Sequence, residues 1–457
     1  MAEAAHPSRA RVAWLIFIGS FLVYQANLRP VASADSLAAA LLPFSILLDH
    51  SFNLDRFVPA LPADAYFLHE KNGHFYSSYP VAQPVMLTPF YLPVCLILNP
   101  ARWPAGDLIL LARIVEKLVA GDLAAASAAI FFLLLDRLTS RRNALVLAAA
   151  CAFGTSAWAT SSQALWQHSG GGLMLALTAL ALQRWNENRE ERKFLFLAGM
   201  CSGLALMMRP ANALLAGAIV LVLLLRGERI RALAVFLPPV VLGGFLTAAY
   251  NLWLLADLRG YTTQPFDARF LDGLAGVLFS PSRGLLVYCP FLIFAVVGMA
   301  AWRKREPDML SLPLSVSAAF CLAHLILIGA WPDWTGGYCW GPRLLTEMAP
   351  FLVLLILPAI DAVMASGWRR GAFAILLLYS AALQFVGTFC FPNGRWHDTP
   401  VSASLQPERF WDWNDNPIGR TIRGGLVLTP HAILLEGALH GKDAAIRKMK
   451  SMGLTGF

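Results

Sequence analysis

Apolar runs of roughly 15–25 residues recur along the chain, divided by short polar stretches that gather Lys and Arg. Nowhere does the pattern alternate with the period of two that a membrane barrel requires. Such runs predict helices, because lipid leaves no backbone N–H or C=O without an internal partner. Basic clusters stand at Arg9/Arg11, Arg137/Arg141/Arg142, Arg184/Arg189/Arg192/Lys193, Arg226/Arg229/Arg231, Arg303/Lys304/Arg305 and Arg369/Arg370. With all of them cytoplasmic, an even number of crossings must separate neighbours. Spans near 12–28, 115–136, 143–160, 170–184, 194–208, 211–225, 232–256, 284–302, 310–331, 344–362 and 371–390 meet that condition. They make about eleven crossings, with the N-terminus inside and the C-terminus outside. The run 81–98, interrupted by Pro84, Pro89 and Pro93, would upset the parity if it crossed, so it is read as interfacial or re-entrant.

The expected fold class is therefore an all-α polytopic membrane protein. Its transmembrane domain occupies 1–390, within which 29–114 forms a large first extracytoplasmic loop bearing interfacial segments. Residues 391–457 are an extracytoplasmic or interfacial extension. In that extension the apolar run 426–439 is too short to cross comfortably, while the basic residues from Lys442 to Lys450 favour the cytoplasm.

Composition agrees. Of 457 residues, 57% are hydrophobic and only 14% charged, against about 25% charged in ordinary soluble domains. The net charge of +8 comes from Lys and Arg in short cytoplasmic loops, which argues against a nucleic-acid partner. Seven cysteines show neither paired nor zinc-like spacing, and His69 with His74 matches no strong ligand pattern, so no metal ligands are assigned.

Sorting polar residues by side places most of the chemically capable ones outside. Asp35 follows the first span by about seven residues, which fixes its depth near the headgroups. It suits either of two roles, an N-cap for the apolar helix expected at 37–48 or a general base. The stretch from Tyr66 to Pro80, with Asn72-Gly73 at its centre, has the form of a small hairpin and brings Lys71 and Tyr79 to the outer face. The hairpin around Arg209-Pro210 has arms of about 15 residues, or about 23 Å, too short to lift its apex clear of the membrane. Arg209 is thus expected recessed in protein or a wet cavity, as a candidate phosphate ligand. Trp166 and His168 flank an outer turn, and Asp333 lies in a Trp- and Gly-rich stretch that ends at Arg343. Arg343 and Glu347 stand at i,i+4 spacing and suit either mutual pairing or substrate contact. Arg283 has no carboxylate at helical spacing, which favours substrate contact. Carboxylates and guanidinium forks at one end of a helix bundle suit transfer from a phosphate-linked donor.

An N-in first span, a long outer loop with an aspartate early in it, and the Tyr79-Pro80 step before many further spans resemble the GT-C superfamily of membrane glycosyltransferases. That superfamily includes the protein O-mannosyltransferases and the lipid A aminoarabinose transferase. The likeness covers the layout of most of residues 10–390, and Asp35 matches the first-loop catalytic aspartate. The steps Phe279-Ser-Pro-Ser-Arg283-Gly284 and Trp340-Gly-Pro-Arg343 look like those of bacterial relatives. One departure is that mannosyltransferases carry Asp-Glu where this chain has Asp35-Ser36, so no second carboxylate is designated.

The resemblance implies transfer of a sugar from a polyprenyl-phosphate donor, with inversion, to a glycan, lipid or protein acceptor outside the cytoplasmic (inner) membrane. Asp35 would be the base on that resemblance; the residues' own chemistry and placement, and not the family, put Arg283, Arg343, Arg209 and Lys71 on the donor phosphate and Tyr79, His168, Trp166, Asp333 and Glu347 in substrate contact. It demands no cofactor and leaves a divalent cation open. A transporter or a lipid or polysaccharide flippase is the alternative from another class, marked by mid-membrane charges and repeated broken helices, and a non-catalytic assembly subunit is a third.

Overall fold

The computed structural model describes residues 8–228, 230–260, 269–304, 306 and 308–451. Arg229 and Arg305 of the basic clusters lie outside these residues.

The chain begins with α1 (Arg9–Gln25), whose first turn is closed by the Ser8 side chain accepting from the Arg11 N–H. A cap built from the expected first loop follows. It comprises α2 (Ala34–Leu48), the hairpin β1 (Leu68–Lys71) and β2 (His74–Ser77), and α3 (Ala82–Leu98). The hairpin is antiparallel in the register Leu68↔Ser77 and Lys71↔His74. Its turn falls on Asn72 and Gly73, both at positive φ, as the Asn-Gly pair predicts. The cap has its own apolar core, in which Leu41 and Phe44 of α2, Phe57, Phe67, Leu87 and Tyr91 pack against Leu108, Leu111 and Val115. Burial of each large apolar side chain contributes about 1.5–3 kcal/mol, so the loop is seated as a structured lid over one end of the bundle. The run 81–98 is one continuous helix of 17 residues despite Pro89 and Pro93.

The bundle follows as α4 (Ala105–Leu138), α5 (Arg141–Gly154), α6 (Gln167–Glu187), α7 (Arg192–Met208), α8 (Ala213–Leu225), α9 (Ile230–Leu255), α10 (Phe270–Phe279), α11 (Leu285–Tyr288), α12 (Phe294–Trp302), α13 (Ser311–Gly329), α14 (Ala349–Leu354), α15 (Leu357–Ala365) and α16 (Gly367–Phe389). It is a multi-pass membrane protein. Among the described residues, four helices, α4, α9, α13 and α16, are long and apolar enough to cross a bilayer by themselves, and α2, α3, α10 and the segments 210–225 and 290–302 are shorter apolar helices.

The central α4 has 34 residues, about 51 Å at 1.5 Å each, and contacts α1, α5 and α6 while its N-terminal third supports the cap. Helix α7 lies between α6 and α9. It meets α9 through small residues, so that a Cβ on Gly243 would come within 2.7 Å of the Gly203 carbonyl oxygen, the close backbone approach on which helix pairs in lipid depend.

Three runs expected as single helices are interrupted. At 143–160, α5 ends at Gly154 and a π-helical turn follows at Ala157–Ser161. At 284–302 the break is a 3₁₀ turn at Pro290–Ile293, and at 344–362 the chain passes through a 3₁₀ turn, α14 and α15, with Pro350 and Pro358 at the helix starts. Proline lacks the N–H that would carry the helix through.

After α16 the chain does not trail away. Residues 391–416 fold onto the end of the bundle before α17 (Pro417–Gly424), α18 (Thr429–His440) and α19 (Lys442–Ser451). Trp396, Ala403 and Phe410 form a small core with Trp334, and Ser280 Oγ donates to the Phe410 carbonyl at 2.6 Å.

Candidate functional site

The start of α2 determines where Asp35 points. Ser33, not Asp35, is the N-cap, its hydroxyl accepting from the Asp35 N–H at 3.2 Å. Asp35 is therefore the second residue of the helix, with its carboxylate free to reach outward, and the capping role considered for it belongs to Ser33. Arg113 of α4 anchors this turn from beneath, donating to the Ser33 carbonyl and to Ser36 Oγ, each at 3.1 Å, and pairing with Glu116 at 2.7 Å. Glu116 in turn accepts from the Leu165 N–H at 3.0 Å, which ties the site's floor to the turn before α6.

Both carboxylate oxygens of Asp35 are engaged. Oδ2 accepts from Arg343 Nη1 at 2.7 Å, and Oδ1 accepts from the Tyr79 hydroxyl at 3.1 Å and from the Tyr66 hydroxyl. Burial opposes ionisation of Asp35, but the Arg343 charge and the hydrogen bonds from Tyr66, Arg343 and Tyr79 outweigh it and hold the carboxyl below its ordinary value. Arg343 is steadied on its other sides by the Gly336 carbonyl at 2.7 Å and by the Trp166 ring, whose centroid lies 4.5 Å from Cζ. Gln83 of α3 holds the turn that carries Trp166, donating to the Leu165 and Trp166 carbonyls at 3.0 and 3.2 Å and accepting from the Gly170 N–H at 3.0 Å.

A second ionic group lies within the bundle. Glu347 Oε2 accepts from Arg209 at 2.5 Å and contacts His168 Nδ1 at 2.8 Å, and all three residues are buried. The recessed apex expected at Arg209 is found here, inside the protein. The i,i+4 pair between Arg343 and Glu347 does not form, because residues 343–345 make a 3₁₀ turn and not an α-turn, and each side chain takes a distant partner.

Arg283 is 1% exposed. It donates to the carbonyls of Thr335, Ser282 (2.9 Å) and Gly337 (2.8 Å) and to His397 Nε2 at 2.7 Å. Burial, then the charges of Arg283 and Arg409, push His397 well below its ordinary value, which suits a neutral ring accepting at Nε2. Arg283 thus braces the 335–337 loop from one side while Arg343 holds the same loop at Gly336 from the other. Asp333 is exposed and accepts from Thr335 Oγ1 at 2.6 Å, and the Lys71 ammonium stands 5.0 Å from the Trp253 ring centroid.

The structure therefore brings Asp35, Tyr79, Trp166 and Arg343 into one site, and His168, Arg209 and Glu347 into another. Arg283 and Asp333 stand by the 335–337 loop, and Lys71 stands against Trp253. Tyr66 was not singled out from sequence, since 31 positions separate it from Asp35 and no local spacing links them. Among the described residues, no group of three or more His, Cys, Asp or Glu is placed to hold a metal ion.

Arg343 follows a turn that only glycine fits. Gly341 has φ +60°, and a Cβ there would meet Tyr288 Cδ1 at 2.8 Å. Gly341→Ala is expected to cost about 1–3 kcal/mol of stability and to displace Arg343. Unaltered thermal unfolding in that variant would count against the strained turn.

No family model and no curated protein sequence matches the chain. Its three-dimensional structure is similar to the crystal structure of ArnT from Cupriavidus metallidurans bound to undecaprenyl phosphate, with a TM-score of 0.52 and 12% identity over 96% of this chain and 74% of that one. The chain has the GT-C fold. That is the fold expected from the long first loop and the early aspartate, and in it the GT-C cap carries Asp35 over the end of the bundle.

Proposed function

We propose that the protein is a membrane glycosyltransferase that moves a sugar from a polyprenyl-phosphate donor to a glycan, lipid or protein acceptor on the outer side of the cytoplasmic (inner) membrane, with inversion. The observation that carries this reading is the Asp35 carboxyl group set 2.7 Å from Arg343 where cap meets bundle. The GT-C fold supports it, as does the lipid phosphate bound by ArnT.

In this mechanism Asp35 takes the proton from the acceptor hydroxyl. The acceptor oxygen then bonds to the anomeric carbon on the face opposite the phosphate, the bond from that carbon to the phosphate oxygen breaks, and polyprenyl phosphate departs with the electron pair. Arg343 stabilises the charge that develops on the leaving phosphate through charge-assisted hydrogen bonds. Trp166, beneath Arg343, and Tyr79 position the reacting groups. Arg283 acts through the 335–337 loop as a positioning residue. Arg209 and Glu347 neutralise one another and support the turns that bear Trp166 and Arg343. Lys71, on the hairpin, is a further candidate for the donor phosphate.

The test is incubation of purified protein with a panel of polyprenyl-phosphate sugars, scoring release of polyprenyl phosphate together with a glycosylated product. Absence of turnover with every donor and cell-envelope acceptor would argue for a transport or assembly role. Orientation is tested separately by cysteine labelling, with Asp64→Cys expected to react from outside and Arg141→Cys from inside.

A further inference from the structure

Each oxygen of the Asp35 carboxylate already has a partner. Arg343 holds Oδ2 and two tyrosine hydroxyls hold Oδ1, so the acceptor position that is left lies on Oδ2 beside Arg343, where the paired guanidinium weakens the carboxylate as a base. The tyrosines are neutral, and their replacement by another hydroxyl is close to an even exchange of hydrogen bonds. Arg343 differs because it is charged, and its side chain is 12% exposed beside an Asp35 side chain exposed by 23%. Its Nε is buried without a partner among the described residues, so the guanidinium keeps a donor that none of them takes. A phosphate supplies several acceptor oxygens in the geometry an arginine fork matches, and one guanidinium cannot neutralise a carboxylate and a phosphate together.

We infer that the Asp35–Arg343 pair is a lock that the donor opens: the phosphate of the polyprenyl-phosphate sugar takes Arg343 from Asp35, and the released carboxylate then accepts the acceptor's hydroxyl. This rests on the reading of Asp35 as base and Arg343 as phosphate ligand, and it adds an order, donor before acceptor. In the resting protein the base is masked against water and stray hydroxyls. With the donor seated, the same carboxylate loses its strongest partner and becomes both accessible and more basic. Group transfer is thereby coupled to occupancy of the lipid site.

The lock makes an unusual demand on a catalytic residue, because removing its charge should improve binding of the lipid phosphate. Undecaprenyl phosphate titrated into the full-length protein in nanodiscs, read by calorimetry, is expected to bind Asp35→Asn about ten-fold more tightly than wild type, the order of one charge-assisted hydrogen bond. Asp35→Ala should show the same gain. Asp35→Glu, which keeps the charge, should show none, and the gain should vanish in Asp35→Asn/Arg343→Gln. Equal or weaker binding in both neutral variants overturns the lock, and so does a comparable gain in Asp35→Glu. The proposed function is scored by different readouts, loss of transfer in Asp35→Asn and loss of lipid-phosphate binding in Arg343→Gln, and it survives if those hold while the lock fails.

Discussion

Asp35→Asn is expected to leave the protein folded and to slow glycosyl transfer by about 10²–10⁴-fold, the usual contribution of a positioned general base. The side-chain carbonyl of the amide can still accept from Tyr66 and Tyr79, so the hydroxyl contacts on that side of the residue are preserved. What is lost is a group that can take a proton. The check is turnover of lipid-linked donor by purified variant, with thermal unfolding measured in parallel; wild-type turnover would remove Asp35 from the chemistry.

The pH profile gives an independent reading. Asp35 lies below its ordinary value in the free protein, so the ionised base persists through the neutral range and is lost only as pH falls through that lowered value. The acid limb of kcat/KM, which reports the free enzyme, should therefore lie below about pH 4, the ordinary range for an aspartate. A limb near pH 6 would point to another base.

Glu347→Gln is expected to act on stability before activity. Glu347 and Arg209 are joined at 2.5 Å with side chains 0% and 9% exposed, and removing one charge of such a pair leaves the other uncompensated, at a cost of about 3–5 kcal/mol. Replacing both partners is much less costly than replacing one. Arg209→Gln/Glu347→Gln should accordingly recover a large part of the loss in thermal unfolding, and a double variant no more stable than the single one would show that the pair is not the stabilising unit. Arg343→Gln offers the contrast, because its partner Asp35 keeps contact with solvent and with two tyrosines, so donor binding should suffer more than folding.

The parts of the site legible in the sequence were those set by position along the membrane. The end of the first span, about seven residues before Asp35, set that residue's depth, and the short arms around Arg209 required its apex to be recessed, as it is. Pairings across the fold were not legible. Nothing local connects Asp35 to Tyr66, or Arg209 to a carboxylate 138 positions away. The Arg343–Glu347 pair, one of two readings for these residues, assumed an α-helix where residues 343–345 form a tighter 3₁₀ turn. The capping role considered for Asp35 passed over Ser33, two residues earlier and equally able to cap. The segment after α16 looked like a polar aromatic tail because it has no helical period, and its role in enclosing Arg283 through His397 and Phe410 emerges only from tertiary structure.

The loop at 335–337 hangs from two arginines by three consecutive carbonyls, Thr335 and Gly337 on Arg283 and Gly336 on Arg343. One support is buried and permanent, while the other belongs to a residue with a competing engagement at Asp35. A suspension of that kind pivots about its fixed end when the other is drawn away. Under the proposed lock that displacement reaches Trp334, one residue before the pivot and packed against Phe410 and Trp411 at ring-centroid distances of 5.9 and 6.2 Å.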